Sequence, residues 1–330
     1  MNKIKFMTGL QTSGNPHIGN IFGVILPTIS YIKKYKKDLF FILIADLHSI
    51  TNYKNYIILK NNIYKNAATW LSLNLNIKKN IYFYRQSDIK EINELFWYLN
   101  CFFPFNRLKL SHVIKNYKNK KKNYNTGIIN YPILMASDIL LYDIDKVIIG
   151  KDQIQHIEIT RKIAQTFNKK VNKKVLNIPK YKIKYNYIIP GIDGEKMSKS
   201  KKNIIDIFED KNILEKQIMN IKTTNKSIYS ITYKKIKKTT LFKIYKIISK
   251  KEDYIYIKEK IKNNKIGFYT IKKMLYKNIL YYYSKQRKIF FYLLNNKKII
   301  KNILYEGYKK SQKIAKKKIL FIKECLGLKI

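Results

Sequence analysis

The chain predicts an α/β fold: a doubly wound parallel sheet followed by a smaller helical domain. Three observations predict it. "DLFFILIAD" (38–46) is a continuous apolar run of the kind buried on both faces of a parallel sheet. Strand-like and helix-like segments alternate through the first half of the chain. Beyond about residue 200 long Lys/Ile/Tyr stretches with helical spacing take over. The expected division is a domain over 1–200 and a helical domain over 201–330.

Taken in order, "KIKFMTG" (3–9) reads as a strand running into a Gly-rich loop, and Ile21, Ile25, Ile29 and Ile32 then fall on one helical face. After the 38–46 strand come a helix at about 55–74, the strand "IYFYRQ" (81–86) and a helix at about 91–102. "YPILMASDILLY" (131–142) reads as a helix with Pro132 in its first turn. "KVIIG" (146–150) reads as a strand leading into a helix over 152–167 that Asp152 could cap. This order is that of a Rossmann-type sheet.

At 330 residues and 46% hydrophobic, the chain can bury sizeable cores. No apolar run reaches membrane-spanning length and the N-terminus shows no signal-peptide pattern, which predicts a cytoplasmic protein with no membrane partner. Cys101 and Cys325 cannot build a zinc cluster, and a lone disulfide does not suit a cytosolic chain. The net charge of +47 suggests nucleic acid, but only Arg85, Arg107, Arg161 and Arg287 of the 68 basic residues are arginine. Ile, Asn, Tyr and Phe are abundant too, so A/T-rich codon usage explains most surface lysines. Residues 201–330 hold 35 basic against 9 acidic residues, the denser half of that charge.

Two loops point to phosphate chemistry. "TSGNPHIGN" (12–20) follows the first strand, where small residues and a helix N-terminus can receive an anion and His17 can donate to developing charge. "GEKMSKS" (194–200) places two lysines around a serine beside a glycine, suited to closing over a polyphosphate. Either stretch alone is a turn or a lysine-rich loop. Together, the "HIG" loop and the downstream "KMSKS" resemble the two hallmark motifs of class I aminoacyl-tRNA synthetases. "GLQTSGNPHIGN", "ADLHSI", "PILMASDILLY" and "VIIGKDQIQHIEITRKIA" resemble the bacterial tryptophan-specific branch, in order from about residue 4 to 210.

The resemblance implies ATP-driven activation of L-tryptophan and its transfer to tRNA(Trp), by a homodimer. Catalytic roles would fall to His17, Lys196, Lys199 and Gln11. Gln11, Thr12 and Ser13 would line the α-phosphate side, and His17, Gly19 and Asn20 the phosphate-facing turn. Gly150 and Asp152 would meet the ribose, with Lys151 also in the ATP site, and Ile188 and Met197 would cradle adenine. Lys196, Ser198, Lys199 and Ser200 would grip the leaving pyrophosphate, with Lys115 an extra phosphate contact. Magnesium is expected with the ATP, although no carboxylate cluster marks a protein site for it. For tryptophan, Asp138 would accept the indole N–H, a group that only donates. Tyr131 and Gln153 would meet the ammonium, Met135 the pocket wall, and His48 the neighbourhood of the site. His156 reads as structural.

The chain departs from the family pattern in places. His17 stands where Thr is usual, Thr12 where Pro is usual, and Lys151 where an acidic residue is usual. "RLKLSHVIK" (107–115) replaces a more regular polar segment, and "PGIDGEK" is one residue short. Rival readings are a tyrosine-specific relative, a small nucleotidyltransferase sharing the loop, or a decayed paralogue that binds RNA through its lysines.

Overall fold

A computed structural model describes residues 3–51, 55–109, 125–183, 189–224, 233–263 and 265–329. Five parallel strands form one sheet in the order β3-β2-β1-β4-β5: β1 Lys5–Gln11, β2 Leu39–Ala45, β3 Ile81–Arg85, β4 Lys146–Ile148 and β5 Lys180–Lys182. Period-two alternation sends neighbouring residues to opposite faces. Phe6, Phe40, Ile42 and Phe83 thus enter one hydrophobic core, while Met7, Phe41, Leu43 and Tyr84 enter the other.

Helices cover both faces: α1 Leu26–Lys34, α2 Asp46–Ile50, α3 Tyr56–Ser72, α4 Lys90–Phe102, α5 Thr126–Leu140 and α6 Ile154–Lys170. Asn55 caps α3 by accepting from the N–H groups of Ile57 and Ile58. α5 starts earlier than the sequence suggests, at Thr126 behind an Asn125 cap, so Pro132 sits inside it rather than in its first turn. α6 begins later than the sequence suggests. A 3₁₀ turn, Lys151–Gln153, comes first and Gln153 occupies the cap position. β5 escaped the sequence reading because it is three residues long and exposed throughout.

Six larger helices follow: α7 Lys211–Met219, α8 Thr240–Ile248, α9 Lys251–Lys262, α10 Phe268–Tyr282, α11 Ser284–Asn295 and α12 Lys297–Cys325. The last returns to the sheet. Over its 29 residues α12 sends Ile300 and Leu304 into one core and Ala315, Ile319 and Ile322 into the other. It therefore crosses the open edge at β3 and covers it. The opposite edge, β5, is blunted instead by its exposed Lys180 and Lys182.

Gly307 marks the crossing point. A Cβ there would lie 1.8 Å from the Phe83 carbonyl oxygen, so only glycine lets helix and strand backbones meet. Arg287, on α11, donates to the carbonyls of Ile207 and Glu209, and Phe290 stacks on Phe208 at 4.5 Å. The helical part is thereby joined to the segment that follows the "KMSKS" loop.

Gly307→Ala is expected to cost about 3 kcal/mol through overpacking, read as a lower urea midpoint. Gly23→Ala, where an added Cβ meets nothing within 4 Å, should leave the midpoint within about 1 kcal/mol of the parent.

Candidate active site

In this strand order the chain leaves β1 towards β2 on one side and reaches β4 on the other. The loops after β1 and β4 therefore diverge and open a crevice at the carboxyl ends of the strands. Gln11 ends β1 and its amide donates to the Tyr131 hydroxyl at 2.8 Å. Thr12 is fully buried, and its N–H and hydroxyl both donate to Ser49 Oγ at 2.8 and 2.9 Å. Its polar groups thus anchor the loop rather than face the crevice. Gly14 takes φ 139°, a left-handed conformation that side chains resist. The Gly14 carbonyl accepts from Lys199 Nζ at 2.6 Å, across 185 residues.

His17 precedes the first helical turn, where its N–H donates to Asn20 Oδ1 at 3.2 Å. Gly19 and Asn20 sit half-buried in that turn, as Ser13 does in the loop. The His17 ring is buried and Nδ1 has no hydrogen-bond partner among the described residues. Burial, then the charges of Lys199 and Lys196, drive its pKa down to about 3. At neutral pH His17 is therefore an uncharged imidazole with one N–H to give.

The "KMSKS" loop is a compact unit. Pro190 and Lys196 form an antiparallel bridge, and Asn203 staples the turn together. Its amide donates to both Asp193 carboxylate oxygens at 2.9 Å and to the Lys196 carbonyl at 3.2 Å, while its oxygen accepts from the Ser198 N–H at 2.7 Å. Ile18 N–H donates to the Ile205 carbonyl at 3.0 Å, holding the segment beside the first loop. Lys196 is exposed, Ser198 half-buried, and Met197 buried with its N–H towards the Ile189 carbonyl. Burial lowers the Lys199 pKa to about 8, opposed by the negative charge of Asp206.

A second cluster lies deeper in the carboxyl-edge region. Asp138 is 3% exposed, and the Gln86 amide donates to both its oxygens at 2.8 and 3.1 Å. The Gln86 oxygen accepts the His48 backbone N–H at 3.3 Å, which turns the amide nitrogen towards Asp138 and His48 Nδ1. His48 is fully buried, and its pKa falls to about 4, chiefly through burial. The Asp138 carboxyl is pushed well above the usual carboxylate range by burial, which Gln86 opposes and Asp46 reinforces. Tyr131 packs edge-on to His48 at 4.4 Å and lies 5.4 Å from the buried His156 ring.

Met135 is half-buried one helical turn before Asp138, and Gln153 is half-buried at the end of the 3₁₀ turn behind β4. Gly150 is half-buried there, and Lys151 is exposed. The side chains of Asp152 and Ser200 are outside the description, and Lys115 and Ile188 lie outside the described residues. Sequence reasoning missed Gln86. Its signal was position, at the carboxyl end of the "IYFYRQ" strand.

The crevice thus offers an imidazole N–H and a lysine-bearing loop to a polyphosphate, and Asp138 to a buried N–H donor. Among the described residues no group of three or more His, Cys, Asp or Glu side chains is placed to hold a metal ion, and no helix is long and apolar enough to cross a membrane. The family model for class I tRNA synthetases (W and Y) matches residues 1–279. Tryptophan–tRNA ligase of Campylobacter jejuni is 35% identical over 326 residues, 98% of this chain and 100% of its own. That of Fusobacterium nucleatum is 36% identical over 323 residues, covering 98% and 97%. A crystal structure of the Campylobacter jejuni tryptophanyl-tRNA synthetase complexed with ADP and tryptophan superposes with a TM-score of 0.88, at 35% identity and 98% and 100% coverage. The chain belongs to the class I tRNA synthetases of the tryptophan and tyrosine group.

Proposed function

We propose that the protein is a tryptophan–tRNA ligase, which activates L-tryptophan with ATP and passes it to tRNA(Trp). The observation that carries the choice of amino acid is the buried Asp138, a carboxyl that accepts from Gln86 and keeps further lone pairs for a second donor. Indole N–H can only donate, and a buried carboxylate is the strongest acceptor for it. An amino acid lacking that donor would leave Asp138 unpaired. Relatives sharing a third of the sequence over nearly the whole chain are tryptophan–tRNA ligases, which supports the same reading. Tyr131 and Gln153 then meet the substrate ammonium, and Met135 and His48 complete the pocket.

ATP lies along the crevice. Gln11, Thr12, Ser13, Gly19 and Asn20 shape its phosphate side, Gly150, Lys151 and Asp152 its ribose side, and Ile188 and Met197 its adenine side. In the first step a tryptophan carboxylate oxygen bonds to the α-phosphorus and the bond to the β-phosphate oxygen breaks, releasing pyrophosphate. In the second a tRNA 3′-terminal ribose hydroxyl attacks the activated carbonyl and AMP leaves. No covalent enzyme intermediate is required, so the residues act by position and charge. Neutral His17 donates its N–H to the phosphoryl oxygens, while Lys196, Ser198, Lys199 and Ser200, with Lys115, take up charge on the pyrophosphate. Lys199 already crosses to the Gly14 carbonyl, so the phosphate replaces a neutral acceptor with an anionic one. Magnesium arrives bound to ATP, because the residues around this path are donors and cations rather than metal ligands.

Residues 201–330 form the tRNA anticodon-side domain on the 1–200 catalytic domain. The working protein is a cytoplasmic homodimer.

The primary test is pyrophosphate–ATP exchange, expected with tryptophan and not with tyrosine. Asp138→Asn should raise the tryptophan KM by about tenfold or more while the protein stays folded. His17→Ala should lower kcat by about 10² with little change in the tryptophan KM, and the parent rate should show no His17 titration between pH 6 and 8.

The same histidine shapes acid stability. Its folded pKa of about 3 lies below the ordinary value of 6.5, so on acidification the unfolded chain takes the proton first. Stability from this group is complete above about pH 6.5 and is lost as pH falls towards 3. Buried Asp206 is raised to about 6 and acts in the opposite sense, so the comparison is made within one variant pair. Between pH 8 and 5, His17→Ala should lose roughly 2 kcal/mol less stability than the parent in urea titrations.

A further inference from the structure

Gln86 is a fully buried amide that belongs to neither phosphate loop. Its backbone stands where β3 ends, at the carboxyl edge of the sheet. α2 grips this point twice. Asp46 accepts from the Ser87 N–H and hydroxyl at 3.0 and 2.5 Å. Two residues further on, the His48 backbone N–H donates to Gln86 Oε1 at 3.3 Å. That bond decides which way the amide faces. A backbone N–H only donates, so the amide oxygen lies against it and Nε2 faces away.

The nitrogen then has two N–H bonds and two partners. It lies 2.8 and 3.1 Å from the Asp138 oxygens and 2.9 Å from His48 Nδ1. Because an amide nitrogen only donates, Nδ1 is the acceptor, and the neutral His48 ring carries its proton on Nε2. The ring is held edge-on to Tyr131 at 4.4 Å, and the Tyr131 hydroxyl accepts from Gln11 at 2.8 Å. A flipped amide would set its oxygen against the Asp138 carboxyl and its N–H groups against the His48 N–H. In a buried site that pairing of like with like is costly. His48 therefore selects the orientation of Gln86 through two atoms, and Gln86 in turn meets Asp138.

A locked donor gives Asp138 more than a partner. The terminal torsion of an Asp side chain is soft, so a carboxyl without a fixed neighbour samples a broad range of angles. Gln86 narrows that range before any substrate enters, and an acceptor already in place spares the cost of ordering it on binding. We propose that Gln86, locked by His48, is a specificity-determining positioning residue whose amide fixes the Asp138 carboxyl as a directed acceptor for the indole N–H. The proposal rests on the reading of Asp138 as the indole acceptor.

The test compares tryptophan with β-(3-benzothienyl)alanine, in which sulfur replaces the ring N–H, in pyrophosphate exchange. The readout is the KM of the sulfur analogue divided by that of tryptophan, about ten or more for the parent enzyme. Gln86→Met keeps the length of the side chain but donates nothing. It should cut the ratio by about tenfold through a higher tryptophan KM, with the KM for the analogue and for ATP within about twofold of the parent. His48→Phe keeps a ring against Tyr131 but removes Nδ1, and should cut the ratio by about threefold. Because His48 acts on Asp138 through Gln86, adding His48→Phe to Gln86→Met should lower the ratio no further. A ratio at the parent value in either single variant would overturn the proposal alone, and His48→Phe decides the matter if Gln86→Met does not fold. A parallel rise in the KM for both substrates would mark Gln86 as merely structural and also overturn it, as would additive effects in the double variant. Equal use of the two substrates by the parent would overturn the Asp138 reading and the proposal with it.

Discussion

The placement of β1 at the centre of the sheet, between β2 and β4, is the constraint on which the rest of the structure depends. With parallel strands and helices on both faces, the chain must depart from β1 in two directions, and the loops at its carboxyl end part. That opening receives the loop after β1 and the "KMSKS" loop. The "KMSKS" segment follows β5, yet the Ile18–Ile205 hydrogen bond returns it to the first loop. Asn203 keeps its turn rigid enough for Lys199 to reach the Gly14 carbonyl. Asp138, delivered by α5, reaches the same edge because Gln86 and His48 stand at the carboxyl ends of β3 and β2.

Burial, more than formal charge, governs the chemistry of the groups so assembled. A chain of net charge +47 could be expected to work through its cations. In the site, desolvation makes His17 and His48 neutral, moves Lys199 down to about 8 and holds Asp138 well above the usual carboxylate range. Each such group responds strongly to an incoming partner: an anion beside Lys199, a donor beside Asp138. The numerous exposed lysines face high-dielectric solvent, where single charges interact weakly.

The helical part contributes in a way its composition does not suggest. Its lysine-rich sequence suggests a solvent-facing role, but its buried face packs inward on the sheet. α12 seals the β3 edge at Gly307, and Arg287 and Phe290 brace the segment behind the "KMSKS" loop. A helix that closes an edge strand removes a site of unwanted pairing and stiffens the strand that ends beside Gln86.

Local chemistry made much of this legible in the sequence. The 38–46 run and the strand–helix alternation each reflect burial period and became the expected elements, while the Ile21/Ile25/Ile29/Ile32 face is helical with its first part, Ile21–Ile25, wound as a π-helix. His17, the lysines of 194–200 and Asp138 stood out as candidates because motif order constrained them together, and the structure brings Lys199 to the loop that holds His17. What misled was also local: Pro132 reads as a helix start when only neighbouring residues are weighed. Gln86 and Gly307 have no distinguishing pattern around them, since their roles are set by partners distant in the chain. The sequence by itself determined most of the elements, the sheet class and the two loops proposed to hold phosphate, because periodicity and turn chemistry act over a few residues. Only the tertiary structure decided which polar groups are buried, how burial shifts their hold on a proton, and which distant side chain each one meets.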